Sequence, residues 1–256
     1  MENNFSSETS EKHSSSEFKN LWACQKIIRD WTHNPDWQSY DVLPIVYKAL
    51  HTGKRFSPGD KKAPKLAEVV RNDDASITGF TKDLLPKGSE VYLLTSKFST
   101  KLDEILANSP KNTEQAVTDA AFAYYVFTRI HPFPDGNGRV GRMIVKRIFK
   151  GAGLKDPIFH EQGWYGGGRS DHLDAIENVN QTNNLAHLEI FFAKSLIDMY
   201  HPLIEFSKHR ELSKIISDRK HTSKLNRENS LYDLWEGFTD PNLYGNNAFI
   251  EKSDNI

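Results

Sequence analysis

Residues 131–142 read His-Pro-Phe-Pro-Asp-Gly-Asn-Gly-Arg-Val-Gly-Arg. They hold an imidazole, a carboxylate, an amide between two glycines, and two guanidiniums. His131 can serve as a general base, because an unperturbed imidazole titrates near neutrality. Asp135 can hold Mg²⁺, a cation that takes one or two carboxylates and completes its shell with substrate phosphates. Gly136-Asn137-Gly138 permits a tight turn with positive φ, so that successive N–H groups point into one concavity. A helix starting there adds unbonded N–H donors and the positive end of its dipole. Arg139 and Arg142, three apart, share a face of that helix near its start. Each residue alone has a plain structural reading: a helix-end histidine, a turn aspartate, a common glycine turn, a solvated pair of arginines. Phe133 is a core anchor under either reading.

Together they change the weighing. A bound phosphate needs N–H donors, cations and often Mg²⁺, and a transfer to a hydroxyl needs a base. One short stretch supplies all four. Other phosphate motifs are missing: the sequence has no G-x-x-x-x-G-K-[ST]. The glycine run 166–168 has no strand before it, which argues against a dinucleotide fold. His160-Glu161 does not extend to H-E-x-x-H, so no zinc-hydrolase pattern exists.

The elements around the motif must position it. The run Ala116 to Ile130 predicts a helix with two apolar stripes, Ala116, Ala120, Tyr124 and Phe127 on one, Val117, Ala121, Tyr125 and Ile130 on the other. A helix apolar on several sides is buried among others. Asn112, with Gln115 three residues on, predicts its capped start. Pro132 and Pro134 stop it. A second helix, from Val140 through Ile144 and Ile148, leaves the motif until Gly151 and Gly153 break it. Upstream, Leu21, Cys24, Ile28 and Trp31 recur at helical spacing, and Val42 to Leu50 makes a further helix with Gly53 as its stop. Residues 54–92 are turn-rich. Ser76 to Thr81 and Glu90-Val91-Tyr92 predict a small β-hairpin or extended flap, and Ser96 to Leu106 returns to helix. Ser170 caps a helix through Leu173, Ile176 and Val179; Leu188 to Ile204 and the charged Ser207 to His221 complete the series. The fold class expected is mainly α, a helical bundle with a small β-hairpin flap.

Composition sets outer limits. With 33 basic and 34 acidic residues the formal charge is −1, so no whole-chain field favours nucleic acid. The lone cysteine, Cys24, rules out an intramolecular disulfide and fits a reducing compartment. No apolar run approaches the roughly 18 residues of a membrane span. No secretory h-region opens the chain. A cytoplasmic protein without nucleic-acid or membrane partners is expected, non-classical export being left open. Residues 1–17, rich in Ser, Glu and Asn, predict a flexible tail.

The motif resembles that of the Fic (filamentation induced by cAMP) domain family, H-x-F-x-[DE]-G-N-G-R-x-x-R. Every fixed position is filled, by His131, Phe133, Asp135, Gly136, Asn137, Gly138, Arg139 and Arg142. A weaker resemblance in element order covers roughly residues 45–205. It implies a Fic-type catalytic domain over 18–206, with 207–256 as a C-terminal helical extension and tail. The resemblance implies Mg²⁺-dependent transfer of AMP from ATP, the substrate, to a Ser, Thr or Tyr hydroxyl of a target protein. His131 would deprotonate the hydroxyl and Asp135 would hold Mg²⁺. Gly136, Asn137 and Gly138 would receive the transferred phosphate, and Arg139 and Arg142 the distal ones. A flap around Ile77 to Val91 would align the target by strand addition. Doc-like members, which phosphorylate, depart from the glycine-asparagine-glycine pattern kept here. Relatives that transfer UMP or phosphocholine share a similar motif and stay open as alternatives. So does a non-catalytic nucleotide-sensing module, although binding alone needs no base.

Many members of that family also carry an inhibitory [ST]-x-x-x-E-[GN]. Glu228-Asn229 has Lys224 at the hydroxyl position, Glu177-Asn178 has Leu173, and Glu236-Gly237 has Tyr232. No strict match exists. Inhibition is left to a separate inhibitory partner, to the degenerate 223–229 segment, or to nothing.

Overall fold

The computed structural model describes residues 5–75, 85–108, 112–157, 171–200 and 205–222. Within them the chain is helical: α1 (Phe5–His33), α2 (Ser39–Thr52), the one-turn α3 (Leu66–Val69), α4 (Gly88–Ala107), α5 (Thr113–Ile130), α6 (Asn137–Gly151), α7 (Asp171–Thr182), α8 (Ala186–Ile197) and α9 (Phe206–Thr222).

The centre is α5. Both of its expected stripes are buried, from Ala116 and Val117 at 0% exposure to Tyr125 at 5%, and from Ala120 to Ile130 the helix is enclosed on every side. It packs against α4, α6, α8 and α9. Asn112 caps it through its side-chain oxygen, which accepts from the Gln115 N–H at 2.7 Å. The reciprocal half of a capping box is missing, since the Gln115 amide turns to Asp119 instead. The partner helix α6 crosses so closely that a Cβ on Gly141 would sit 2.9 Å from the Tyr124 ring. On its other side α6 meets α1 and α2. Trp31, Ile27 and Ile28 of α1 are buried there. Gly53, at φ 65°, ends α2 with its N–H on Ala49 O, as its place after the last apolar residue predicts. The Cys24 thiol is buried with its Sγ toward Val46 O, and burial pushes it up to about 12. It is a core residue, with no thiolate available near neutral pH.

Two expectations change. Among the described residues no β-hairpin is present. Its second arm, Glu90-Val91-Tyr92, belongs to α4, which starts eight residues before the expected Ser96. Glu90 accepts the Lys87 N–H and anchors the first turn. Val91, Leu94, Phe98 and Leu102 are then buried at helical spacing. Packing on α2 and α5 overrides the strand propensity of Val91 and Tyr92. The first arm, 76–81, lies outside the described residues, as do Ser170 and Glu228. The second change is at the N-terminus, where α1 is already helical at Phe5, inside the stretch expected to be a flexible tail. Once residues 18–33 are fixed by packing, each added residue extends an existing helix and no new nucleus is needed.

Helix α9 joins the bundle through the buried Leu212 and Ile215 and through charge. The Arg219 guanidinium meets Glu189 of α8 at 2.5 Å and Glu114 of α5 at 3.0 Å. Glu189, itself 4% exposed, also accepts from Thr118 of α5.

Gly88 marks a tight crossing before α4. A Cβ there would lie 1.9 Å from the carbonyl oxygen of Asn72, a backbone atom that no rotamer change can move. Gly88→Ala is therefore expected to destabilise by at least the ~1–3 kcal/mol typical of overpacking. Urea denaturation of the variant against wild type measures it.

Candidate active site

The site forms where α5 ends and α6 begins. His131 is the residue after α5, in the left-handed region at φ 50°, ψ 58°, with its N–H on Phe127 O. That conformation costs a non-glycine residue roughly 1 kcal/mol or more. It turns the chain out of the helix and leaves the half-buried imidazole at the helix end. Its Nδ1 lies 3.4 Å from Thr128 O. A carbonyl only accepts, so this contact favours the proton on Nδ1 and leaves the Nε2 lone pair as the basic position. Burial lowers the His131 pKa, and the nearby Arg71 charge lowers it further, against opposing effects of the Thr128 contact and Asp135.

Phe133 plants the next stretch in the core at 0% exposure. It stacks on Tyr47 of α2 at 4.4 Å between ring centroids and tilts against Phe127 of α5 at 6.0 Å. Asn137 closes the loop. Its Oδ1 accepts from Phe133 N–H at 2.8 Å and its Nδ2 donates to Phe133 O at 2.7 Å. At 2% exposure, the side chain is committed to shaping the turn, so what Asn137 offers an anion is its backbone N–H at the helix start. Gly136 takes φ 78° and caps α6. A Cβ there would meet Leu50 at 3.0 Å and His51 Nε2 at 3.2 Å, so backbone freedom and space both select glycine.

Each glycine has a guanidinium near it. Arg139 Nη2 lies 3.6 Å from the position of a Gly136 Cβ, and Arg142 Nη1 lies 3.6 Å from that of Gly138. Both arginines thus reach back over the first turn of α6, whose leading N–H groups have no partner within the helix. Asp135 is exposed and pairs with Arg139 at 3.0 Å. With a 73% exposed side chain, that pair is screened and contributes little to stability. The structure therefore brings together all seven expected site residues, His131, Asp135, Gly136, Asn137, Gly138, Arg139 and Arg142, in one loop and one helical turn. Asp135 supplies one carboxylate, which suits a cation bound mainly through substrate phosphates. No cluster of three or more His, Cys, Asp or Glu side chains able to hold a metal exists among the described residues.

Three neighbours were not legible in the sequence. Tyr47 and His51, one turn apart on α2, tilt against each other with ring centroids 4.7 Å apart, and His51 borders Gly136. Burial raises the Tyr47 pKa, and the Asp135 charge raises it further. Arg71, in the turn-rich stretch before α4, donates to the carbonyls of Ile130 and His131. Nothing in its surroundings in sequence marks it out.

An imidazole, a carboxylate and an arginine-flanked helix N-terminus in one loop are groups that can hold a phosphate and accept a proton. Residues 68–149 match the Fic/DOC family. A protein of Aquifex aeolicus (strain VF5) named probable protein adenylyltransferase is 31% identical over 93 residues, 32% of this chain and 29% of that protein. The protein adenylyltransferase Fic of Nematostella vectensis is 30% identical over 105 residues, 41% of this chain and 22% of that protein. Its namesake in Drosophila grimshawi is 32% identical over 77 residues, 30% and 15% respectively. The chain spans less than a third of the length of these curated relatives. Among the described residues no helix is long and apolar enough to cross a membrane.

Proposed function

We propose that this protein is a protein adenylyltransferase, moving AMP from ATP to a Ser, Thr or Tyr hydroxyl of a target protein. The observation that carries the reading is the placement of His131, with Nε2 as its basic position, directly before an N–H cradle that two guanidiniums reach over. His131 Nε2 takes the hydroxyl proton as the hydroxyl oxygen attacks the α-phosphorus. The bond from that phosphorus to the bridging oxygen breaks, and pyrophosphate leaves with the electron pair. The backbone N–H groups of Gly136, Asn137 and Gly138 receive the charge on the α-phosphate in the transition state. Arg139 and Arg142 hold the β- and γ-phosphates and orient the leaving group. Asp135 would hold Mg²⁺, which when bound neutralises phosphate charge; Arg139 must then give up its pair with Asp135. The catalytic unit in this reading is 18–206, with 207–256 as an extension whose helix α9 is tied to the bundle by Arg219.

ATP labelled at either end tests it. Incubated with Mg²⁺ and candidate target proteins, the protein is expected to transfer label from the α- but not the γ-phosphate. Label from the γ-phosphate would mean phosphorylation, and label from neither would remove transfer altogether. The distal-phosphate role of Arg142 is separable. Arg142→Ala is expected to weaken ATP binding by about 1.5–3 kcal/mol, the worth of a hydrogen bond to a charged group. AMP, which lacks the distal phosphates, should bind nearly as before. Calorimetric titration of both nucleotides compares the two, and equal losses would make Arg142 a fold residue.

A further inference from the structure

Arg71 is 5% exposed, and its hydrogen bonds join two separate parts of the chain. Its Nε donates to His131 O at 2.7 Å and its Nη2 to Ile130 O at 3.3 Å, both at the end of α5. Its backbone N–H donates to Pro132 O at 2.8 Å. The remaining donors face the other way, Nη1 to Asp73 O at 2.6 Å and Nη2 to Pro86 O at 2.9 Å. Asp73 and Pro86 stand at the two sides of a neck, where the chain leaves and returns before α4. Asp74 closes the same neck by accepting the Gly88 N–H at 2.9 Å. Gly88 crosses Asn72 there without room for a Cβ.

A buried guanidinium is costly unless its donors are used, and here Nε, Nη1 and Nη2 all reach carbonyls. Only the planar fork of arginine can serve carbonyls on several sides at once; a lysine ammonium offers three donors from one point. The carbonyls of Ile130, His131 and Pro132 are the ones displaced from helical pairing by the left-handed turn at His131. Arg71 thus satisfies the groups that this turn exposes.

We propose that Arg71 is a positioning residue for the base: it stabilises the left-handed turn that aims His131 and fixes His131 in register with the neck between Asp73 and Pro86. It touches no reacting atom and acts through His131. The inference rests on the reading of His131 as the general base and extends it, since the same guanidinium joins the base's turn to Asp73 and Pro86.

The test uses the full chain with Arg71→Met, which keeps most of the stem volume, and Arg71→Lys, which keeps the charge. Misplacing a reacting group by about 1 Å can cost on the order of 100-fold in rate. Arg71→Met is therefore expected to lower kcat for AMP transfer by roughly 10–100-fold, with the KM for ATP and calorimetric ATP affinity within about threefold. Arg71→Lys should recover part of that loss. The His131 ring signal, followed by imidazole carbon-proton NMR and assigned with a His131 variant, should move or broaden in Arg71→Met. The His51 signal, on α2 away from the Arg71 bonds, should not. Wild-type kcat together with an unchanged His131 signal in either folded variant overturns the inference. Equal losses in ATP affinity and kcat overturn it too, by making Arg71 a support for the whole site. If Arg71→Met fails to fold, Arg71→Lys carries the comparison. If the wild-type protein transfers no AMP, the proposed function falls, and the ring signal alone decides for or against the role of Arg71.

Discussion

Replacing His131 with Ala is expected to lower the rate of AMP transfer by about 10²–10⁴, the usual contribution of a positioned general base. ATP affinity should stay within a few fold, because the imidazole acts on the hydroxyl and the phosphates are held by α6 and its arginines. The pH profile of the wild-type protein adds a second check. Burial and the Arg71 charge lower the His131 pKa, so the neutral, base-competent ring persists below the ordinary imidazole value of about 6.5. The acid limb of kcat/KM should accordingly fall below that value, with activity lost as pH drops through it. The same shift bears on stability. The unfolded chain binds the proton more readily than the folded one, so His131 contributes stability that is lost as pH falls through its lowered folded pKa. Single-turnover transfer by His131→Ala at saturating ATP measures the first effect, and a rate profile across acidic pH the second. Near wild-type transfer would remove His131 as the base.

The loop from His131 to Gly138 and the helices that flank it were legible because their signals are local. The two stripes of Ala116 to Ile130 and the Gly136-Asn137-Gly138 turn each determine their own conformation. The start of α4 was not legible. Val91 and Tyr92 favour strand in isolation, and only the packing of Val91, Leu94 and Phe98 onto α2 and α5 makes them helical. Arg71 was hidden for the same reason. Its partners are up to 61 residues away, and an arginine among turns carries no pattern that points to them. The sequence also left open how Asn137 works. An asparagine between two glycines suits a turn or an anion contact equally well, and only the two hydrogen bonds to Phe133 decide where its side chain goes.

Asn137 is where fold and chemistry meet most closely. Its side chain holds both the N–H and the C=O of Phe133 at 2.7–2.8 Å while 2% exposed. Truncation to Ala leaves a donor and an acceptor inside the protein without partners, at about 1–3 kcal/mol each. The total of roughly 2–6 kcal/mol falls on the one turn that aims the leading N–H groups of α6. Asn137→Ala is therefore expected to lose both stability and ATP binding, even though the side chain points away from the cradle. Asn137→Asp separates the two donor–acceptor pairs. A carboxylate can still accept from Phe133 N–H, but it sets a second acceptor against Phe133 O. It should be destabilised as well, with the deficit shrinking at acidic pH where a protonated carboxyl can donate to that carbonyl. Urea denaturation of both variants at neutral and acidic pH, with ATP titration beside it, measures the outcome. Full stability in Asn137→Ala, with ATP binding lost, would instead mean that the amide contacts the nucleotide directly.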